Sequence, residues 1–397
     1  MNKDNISVII VLLILICINI VGLFVVKDSW VEGNSQGWEE QVSKVLYGAV
    51  LVIMLPSLLL HFDKLSSIKW IILLWFVYYF CAYLNGFKNY DLGFNLKYLL
   101  FFVSLPYFSV KFNKTPIVQK LINVLIFSVS INILHSVLMA DVLSSIVRTG
   151  DARTGQATSI GVIFLIPLVF HMWKAKYASY FYLFALTVCF ISMRRTSILV
   201  CLFCFPFIYK YIRSSLSTKQ LIYIMCGLLL LSTFAIFKYK DAIMLRFSDM
   251  FTANEDGQYG SGRTGWYKIL IYDYIGCNDL LVYLFGFGHS HVAAQISKMG
   301  YSFNHAHNDY IEILCTYGLV GINSLYYFII SRIRKVAFLE GNNKKLVYMA
   351  LAQLLLIGAV SGIILNPVVI MFSIYLGIII NEHSRNLKDK VIWSKFQ

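Results

Sequence analysis

The chain has 397 residues, 58% of them hydrophobic and only 14% charged, with a mean hydropathy of +0.69. A soluble domain carries about 25% charged residues, so the composition excludes a soluble globular enzyme. The formal charge of +14 does not mark a nucleic-acid binder either, because the basic residues are scattered among short hydrophilic gaps and form no long basic run.

The chain opens on "ISVIIVLLILICINIVGLFVV". This segment is too long for a signal-peptide core, and no small-residue cleavage site follows it, so an uncleaved first span is expected. Further apolar stretches follow near 45–61, 68–85, 96–110, 115–140, 158–173, 178–193, 195–212, 219–238, 308–331, 346–364 and 366–381. Since ~20 residues cross the hydrocarbon and only helices or closed barrels satisfy their backbone there, the expected fold class is an all-α polytopic membrane protein. It has about 12 transmembrane helices on that count, and residues 1–397 form a single integral membrane domain. The 30 Phe and 26 Tyr residues suit aromatic belts at two interfaces. Most cysteines lie within apolar runs, as small apolar fillers do.

The charges set an orientation. With the N-terminus in the cytoplasm, the inner gaps collect Lys111, Lys114, Lys174, Lys176, Arg332, Arg334, Lys344 and Lys345 with few acids, as the positive-inside rule requires. Both termini are then cytoplasmic. One gap stands out: residues 239–307, between the ninth and tenth expected spans, form a long polar loop on the outer face. A loop of that length is more often functional than filler. Within it, "GRTGWYKILIYDYI" carries apolar residues at helical spacing and is expected to be an amphipathic helix at the interface. "FGFGHSHV" follows as a flexible glycine turn.

The chemistry concentrates in "FNHAHNDYIEILCTYGLVG", residues 303–321, where His305, His307, Asn308, Asp309 and Glu312 crowd the mouth of an apolar helix. Four of the eight histidines (His289, His291, His305, His307) fall within residues 289–307. H-x-H pairs suggest a metal site, but adjacent rings on a helix or extended loop face different ways, and no carboxylate spacing resembles a zinc pattern. A histidine titrating near working pH serves more simply as a general base. Asn308 and Asp309 also fit a plain helix N-cap, a reading that leaves His307 and Glu312 unexplained. Arg194 and Arg195 in "ISMRRTSIL", Arg263 in "GSGRTGWYK" and Arg153 in "GDARTGQATS" lie on the expected outer face, where the topology rule disfavours them. Their planar guanidinium forks match phosphate oxygens and would suit a pyrophosphate leaving group. Lipid headgroups, or the loop acids Asp249, Glu255 and Asp256, are the alternative partners.

"HAHNDYIEILCTYGLVG" resembles the signature of the O-antigen ligase and O-antigen polymerase superfamily of bacterial inner-membrane glycosyltransferases. "MRRTSIL" looks like that family's arginine step at the outer end of a mid-chain span. "GSGRTGWYKI" followed by "LFGFG" is similar to the G-R-x-x-x-W and G-x-G elements of its periplasmic loop. The resemblance runs over roughly residues 140–380. It departs from the family pattern at the doubled Arg194–Arg195, where Arg195 is preferred because it directly precedes Thr196.

The resemblance implies an inverting glycosyltransferase with no metal or other cofactor. It would use an undecaprenyl-pyrophosphate-linked oligosaccharide donor at the periplasmic face. Carried onto this sequence, His307 takes the proton of the acceptor hydroxyl, and Arg195 and Arg263 hold the pyrophosphate. Arg153, Arg194, His305, Asn308, Asp309 and Glu312 support them, while His289 and His291 are dispensable. The acceptor would be another lipid-linked repeat unit in a polymerase, or lipid A–core in a ligase. "HNDYIEIL", the small outer loops and the G-R-x-x-W element lean toward the polymerase, with a chain-length regulator as a candidate partner. A polysaccharide transporter or flippase is the reading from another class, set back by charges clustered at one surface rather than at the midplane.

Overall fold

The computed structural model describes residues 3–23, 38–59, 92–146, 160–192, 195–220, scattered helical positions from 222 to 237, 263–298, 306, 308–336, 341–360 and 369–394. Every regular element among the described residues is an α-helix. The first seven are α1 (Lys3–Leu23), α2 (Trp38–Leu59), α3 (Leu92–Lys111), α4 (Pro116–Ile146), α5 (Ile160–Met172), α6 (Ala175–Ile191) and α7 (Arg195–Ser215). Three helices follow within the expected outer loop: α8 (Arg263–Gly276), α9 (Leu280–Phe285) and α10 (His289–Lys298). The last three are α11 (Asp309–Val336), α12 (Gly341–Val360) and α13 (Val369–Ser394). The expected span near 68–85 and residues 239–262 of the loop lie outside the described residues.

Local signals start the helices where the sequence says they should. Thr115 caps α4, its hydroxyl accepting the Val118 N–H at 3.4 Å, with Pro116 in the first helical position, where a missing N–H costs nothing. Ser217 and Gln220 form a reciprocal capping box (3.3 and 3.0 Å) that opens the helical positions from 218 onward, where the ninth apolar stretch was expected.

Among the described residues, three segments are long and apolar enough to cross a membrane: Ile6–Leu23, Pro116–Val137 and Thr196–Ser215. Shorter apolar helical segments stand at Gln41–Pro56, Leu99–Lys111, Ile160–Met172, Ala175–Ile191 and Ile370–His383. These helices are apolar on both sides. Val8, Leu12 and Val129 are buried between α1 and its neighbours, whereas Val52, Phe127 and Leu199 point outward and are 64–70% exposed. An apolar exterior of that extent belongs against lipid. α1 packs on α2 and α4, α3 lies between α2 and α13, and α5 touches α4, α6, α12 and α13.

Polar side chains inside the bundle serve both backbone groups and one another. Pro167 cannot donate the hydrogen bond that the Ile163 carbonyl would receive within α5, and Gln353 Nε2 of α12 supplies it from outside at 3.2 Å. At one end of the bundle, Glu382 at the middle of α13 meets Lys114 at 3.3 Å and His171 at 3.1 Å. Asn381 donates to the Ser109 carbonyl at the end of α3 at 2.8 Å. The 111–116 turn, the end of α5 and the middle of α13 therefore converge, and the charge pattern had assigned all three to one side.

Candidate functional site

Asn308 opens α11 as its N-cap. Its Oδ1 accepts the Tyr310 and Ile311 N–H groups at 3.0 and 3.2 Å, and its backbone carbonyl accepts the Glu312 N–H at 2.9 Å. Its amide nitrogen is used as well, donating to the Ala359 carbonyl at the end of α12 at 2.8 Å. One turn away the Tyr310 hydroxyl donates to the Leu355 carbonyl at 3.1 Å. The start of α11 is thus bolted antiparallel to the end of α12. Gln353, two residues from Leu355, continues the connection to Ile163 of α5 and to Cys204 of α7.

Glu312 is 1% exposed and faces back along the chain. One carboxylate oxygen accepts the Ala306 N–H at 2.5 Å and the other lies 3.5 Å from the Thr316 hydroxyl, which donates to it. A charge-assisted hydrogen bond of this kind contributes about 1.5–3 kcal/mol. Asp309, equally buried, sits against α12 where Gly358 leaves room: a Cβ there would come within 3.3 Å of Asp309 Oδ2. Both carboxylates lie in the first turn of α11, where the helix dipole favours negative charge.

α11 does not run straight, which departs from the continuous span expected over 308–331. Gly318 adopts φ 65°, ψ −161° and breaks the helix, so the carbonyls of Cys315 and Thr316 lose their partners one turn on. The glycine turn after α9 satisfies them: Phe287 N–H donates to Cys315 O at 2.8 Å and Gly288 N–H to Thr316 O at 3.1 Å. Gly286 (φ 78°) and Gly288 (φ 85°) supply the left-handed backbone that this approach requires. The turn expected to be flexible is clamped to the helix break.

α8 is the amphipathic helix that the periodicity announced. Trp266, Leu270 and Tyr274, four residues apart, are all buried. With Val292 and Ile296 of α10, and with Ala306 and Cys315, Leu270 and Tyr274 belong to a second apolar cluster, separate from the main bundle core. The loop helices therefore form a small packed cap over the first half of α11. Its rim carries His291 of α10, stacked on Phe287 (ring centroids 4.0 Å apart) and 3.8 Å from Asp273 of α8.

Of the residues singled out from sequence, the structure brings together Asn308, Asp309 and Glu312. Arg195 and Arg263 are the first residues of α7 and α8, and His289 is the first residue of α10. Arg153, Arg194, His305 and His307 lie outside the described residues. His307 stands in the chain between Ala306 and Asn308, which Glu312 and Ala359 hold in place. Sequence reasoning missed Tyr310, Thr316 and the docking of "LFGFG" on "CTYGLVG". The glycines signalled two unusual backbones but not that they meet.

Among the described residues, helices with an apolar exterior and a polar helix mouth under a packed cap mark a membrane protein. Residues 180–326 match the family model described as O-antigen ligase. The matched stretch spans α6 to the middle of α11 and includes Arg195, Arg263 and the H-N pair. Over that stretch the chain is similar to the O-antigen ligase family. No curated protein matches the chain closely enough to be named beside it.

Proposed function

We propose that the protein is a metal-independent, inverting glycosyltransferase of the bacterial inner membrane, with both termini cytoplasmic and its site on the periplasmic face. It moves a glycan from undecaprenyl pyrophosphate onto an acceptor hydroxyl. The observation that carries this reading is the double anchoring of the H-N stretch, by Glu312 on one side and α12 on the other, within the region that matches the O-antigen ligase family.

His307 accepts the proton as the acceptor oxygen attacks the anomeric carbon. The bond between that carbon and the pyrophosphate oxygen breaks, and undecaprenyl pyrophosphate leaves. Charge develops on the leaving oxygens, and Arg195 and Arg263 stabilise it from the first positions of α7 and α8, with Arg153, Arg194 and His305 in support. Helix N-termini add favourable potential for an anion. Asn308 and Glu312 have their polar atoms engaged with backbone and Thr316, so they act as positioning residues.

The acceptor is a second lipid-linked repeat unit, making the protein a surface-polysaccharide polymerase that works with a chain-length regulator; lipid A–core is the acceptor in the ligase reading. Deleting the gene and running a gel of surface glycolipids separates them. Core with a single repeat unit and no ladder means polymerase. Bare core, with long chains retained on the carrier, means ligase. An unchanged ladder overturns both.

A further inference from the structure

Between α8 and α10, on the open side of the cap, lies a hollow of about 330 Å³ lined by Tyr272, Asp273, Phe287, His291 and Gln295. That size is at the lower end for small-ligand sites, about 300–1,000 Å³. Asp273 Oδ2 lies 3.8 Å from His291 Nε2, too far for a hydrogen bond, and among the described residues that oxygen has no hydrogen-bond partner. Gln295 Nε2 lies 3.5 Å from the same imidazole nitrogen. The polar groups are therefore present, convergent and weakly engaged with one another. Tyr272 stands at the rim, 71% exposed, its ring free to be covered.

From this hollow we infer a saccharide-binding subsite, which holds a hydroxylated, uncharged sugar of the glycan whose transfer is proposed above. The inference rests on that reading for the sugar's role, though not for its binding. A carboxylate, a primary amide and an imidazole can accept and donate to neighbouring hydroxyls, and an aromatic ring offers a face to the sugar's C–H surface. The lining carries one carboxylate and neither lysine nor arginine, which disfavours a phosphate or pyrophosphate. Burial, the leading cause, holds His291 below its ordinary pKa; Asp273 opposes that and Lys298 adds to it. The ring is neutral near pH 7 and keeps one donor and one acceptor nitrogen.

The position suits the role. Phe287, at the inner side of the hollow, is hydrogen-bonded to the Cys315 carbonyl. Cys315 is seven residues beyond Asn308, about 10 Å along α11 at ~1.5 Å per residue. A short oligosaccharide covers that distance. The subsite assigns a use to His291 that the sequence did not suggest.

Saturation-transfer NMR on the detergent-solubilised full chain tests it, with methyl α-glucoside, methyl α-galactoside, methyl α-mannoside and N-acetylglucosamine as probes. Transfer to at least one sugar is expected. It should fall about fivefold or more in Asp273→Asn and in Gln295→Ala, and persist in His307→Ala. The exposed Tyr272→Ala variant checks the same site without touching the packed cap. No transfer from any of the four sugars, or transfer undiminished in all three hollow variants, overturns the subsite. A glycolipid gel on the same strains keeps the two readings apart. Loss of the ladder in His307→Ala with no sugar binding at the hollow removes the subsite alone. A full ladder in His307→Ala with binding lost in Asp273→Asn removes the transferase mechanism and leaves the subsite standing.

Discussion

Gly286 and Gly318 exclude side chains from each other's segments. A Cβ on Gly286 would lie 2.5 Å from the Thr316 carbonyl oxygen, and a Cβ on Gly318 would lie 2.5 Å from that of Leu284. Both residues also hold positive φ, 78° and 65°, which costs an L-residue roughly 1–2 kcal/mol. Gly286→Ala and Gly318→Ala should each lower the melting temperature of the solubilised protein and abolish transfer, because the clamp that closes the cap over α11 cannot form. Gly48 of α2, around which a Cβ would meet nothing within 4 Å, is the control: Gly48→Ala should lower neither measurement. Equal behaviour of the three variants would remove the clamp from the account.

The polar mouth of α11 makes graded demands. Asn308→Asp keeps the cap on Tyr310 and Ile311 but loses the donor to Ala359, whereas Asn308→Ala loses both, the cap alone being worth about 1 kcal/mol. Glu312→Gln retains one acceptor for two donors, and Glu312→Ala leaves the Ala306 N–H unsatisfied at a cost of about 1–3 kcal/mol. Transfer measured on membranes with matched protein levels should therefore fall in the order wild type, Glu312→Gln, Glu312→Ala, with the last at least about tenfold down. His307→Ala should be inactive while inserting normally. An active Glu312→Ala protein would mean that the Ala306 anchor does not position the H-N stretch.

How much of this was legible depends on the range of the interaction. The N-cap at Asn308, the buried face Trp266–Leu270–Tyr274 and the apolar helices were readable because each is written within a few residues and repeats at 3.6. The break at Gly318 was not, since a glycine in an apolar run is compatible with a straight helix; what decides it is the pair of N–H groups arriving from Phe287 and Gly288, about thirty residues earlier. Glu312 was marked as unusual from its charge, but its partner is a backbone group that no side-chain pattern reveals.

His291 gives the folded protein a pH dependence of known sign. Burial lowers its pKa from 6.5 in the fold, so the folded state resists protonation more than the unfolded chain does. The stability it contributes is complete above pH 6.5 and is lost as the pH falls from there through the lower, folded value. The groups facing it are Asp273, which opposes the shift, and Lys298, which reinforces it. Melting temperatures measured from pH 8 down to pH 5 should decline more in the wild type than in His291→Gln, which does not titrate. A decline of the same size in both would assign the acid sensitivity to other groups.

Gln353 and Pro167 offer a test of the bundle's internal bookkeeping. The proline leaves the Ile163 carbonyl without its helical donor, and the buried Gln353 amide fills the vacancy while also donating to Cys204 Sγ at 2.9 Å. Interhelical hydrogen bonds within membranes measure about 0.6 kcal/mol on average and up to about 1.7. Gln353→Leu should therefore destabilise by about 1 kcal/mol or more, since an unpaired carbonyl remains in an apolar setting. Pro167→Ala restores an N–H to α5, so adding it to Gln353→Leu should recover part of the loss. Strict additivity of the two substitutions in a thermal-unfolding cycle would show that they do not share the carbonyl. Rescue would show that α12, and with it the anchor for Asn308, is docked on α5 by a bond that the proline makes necessary.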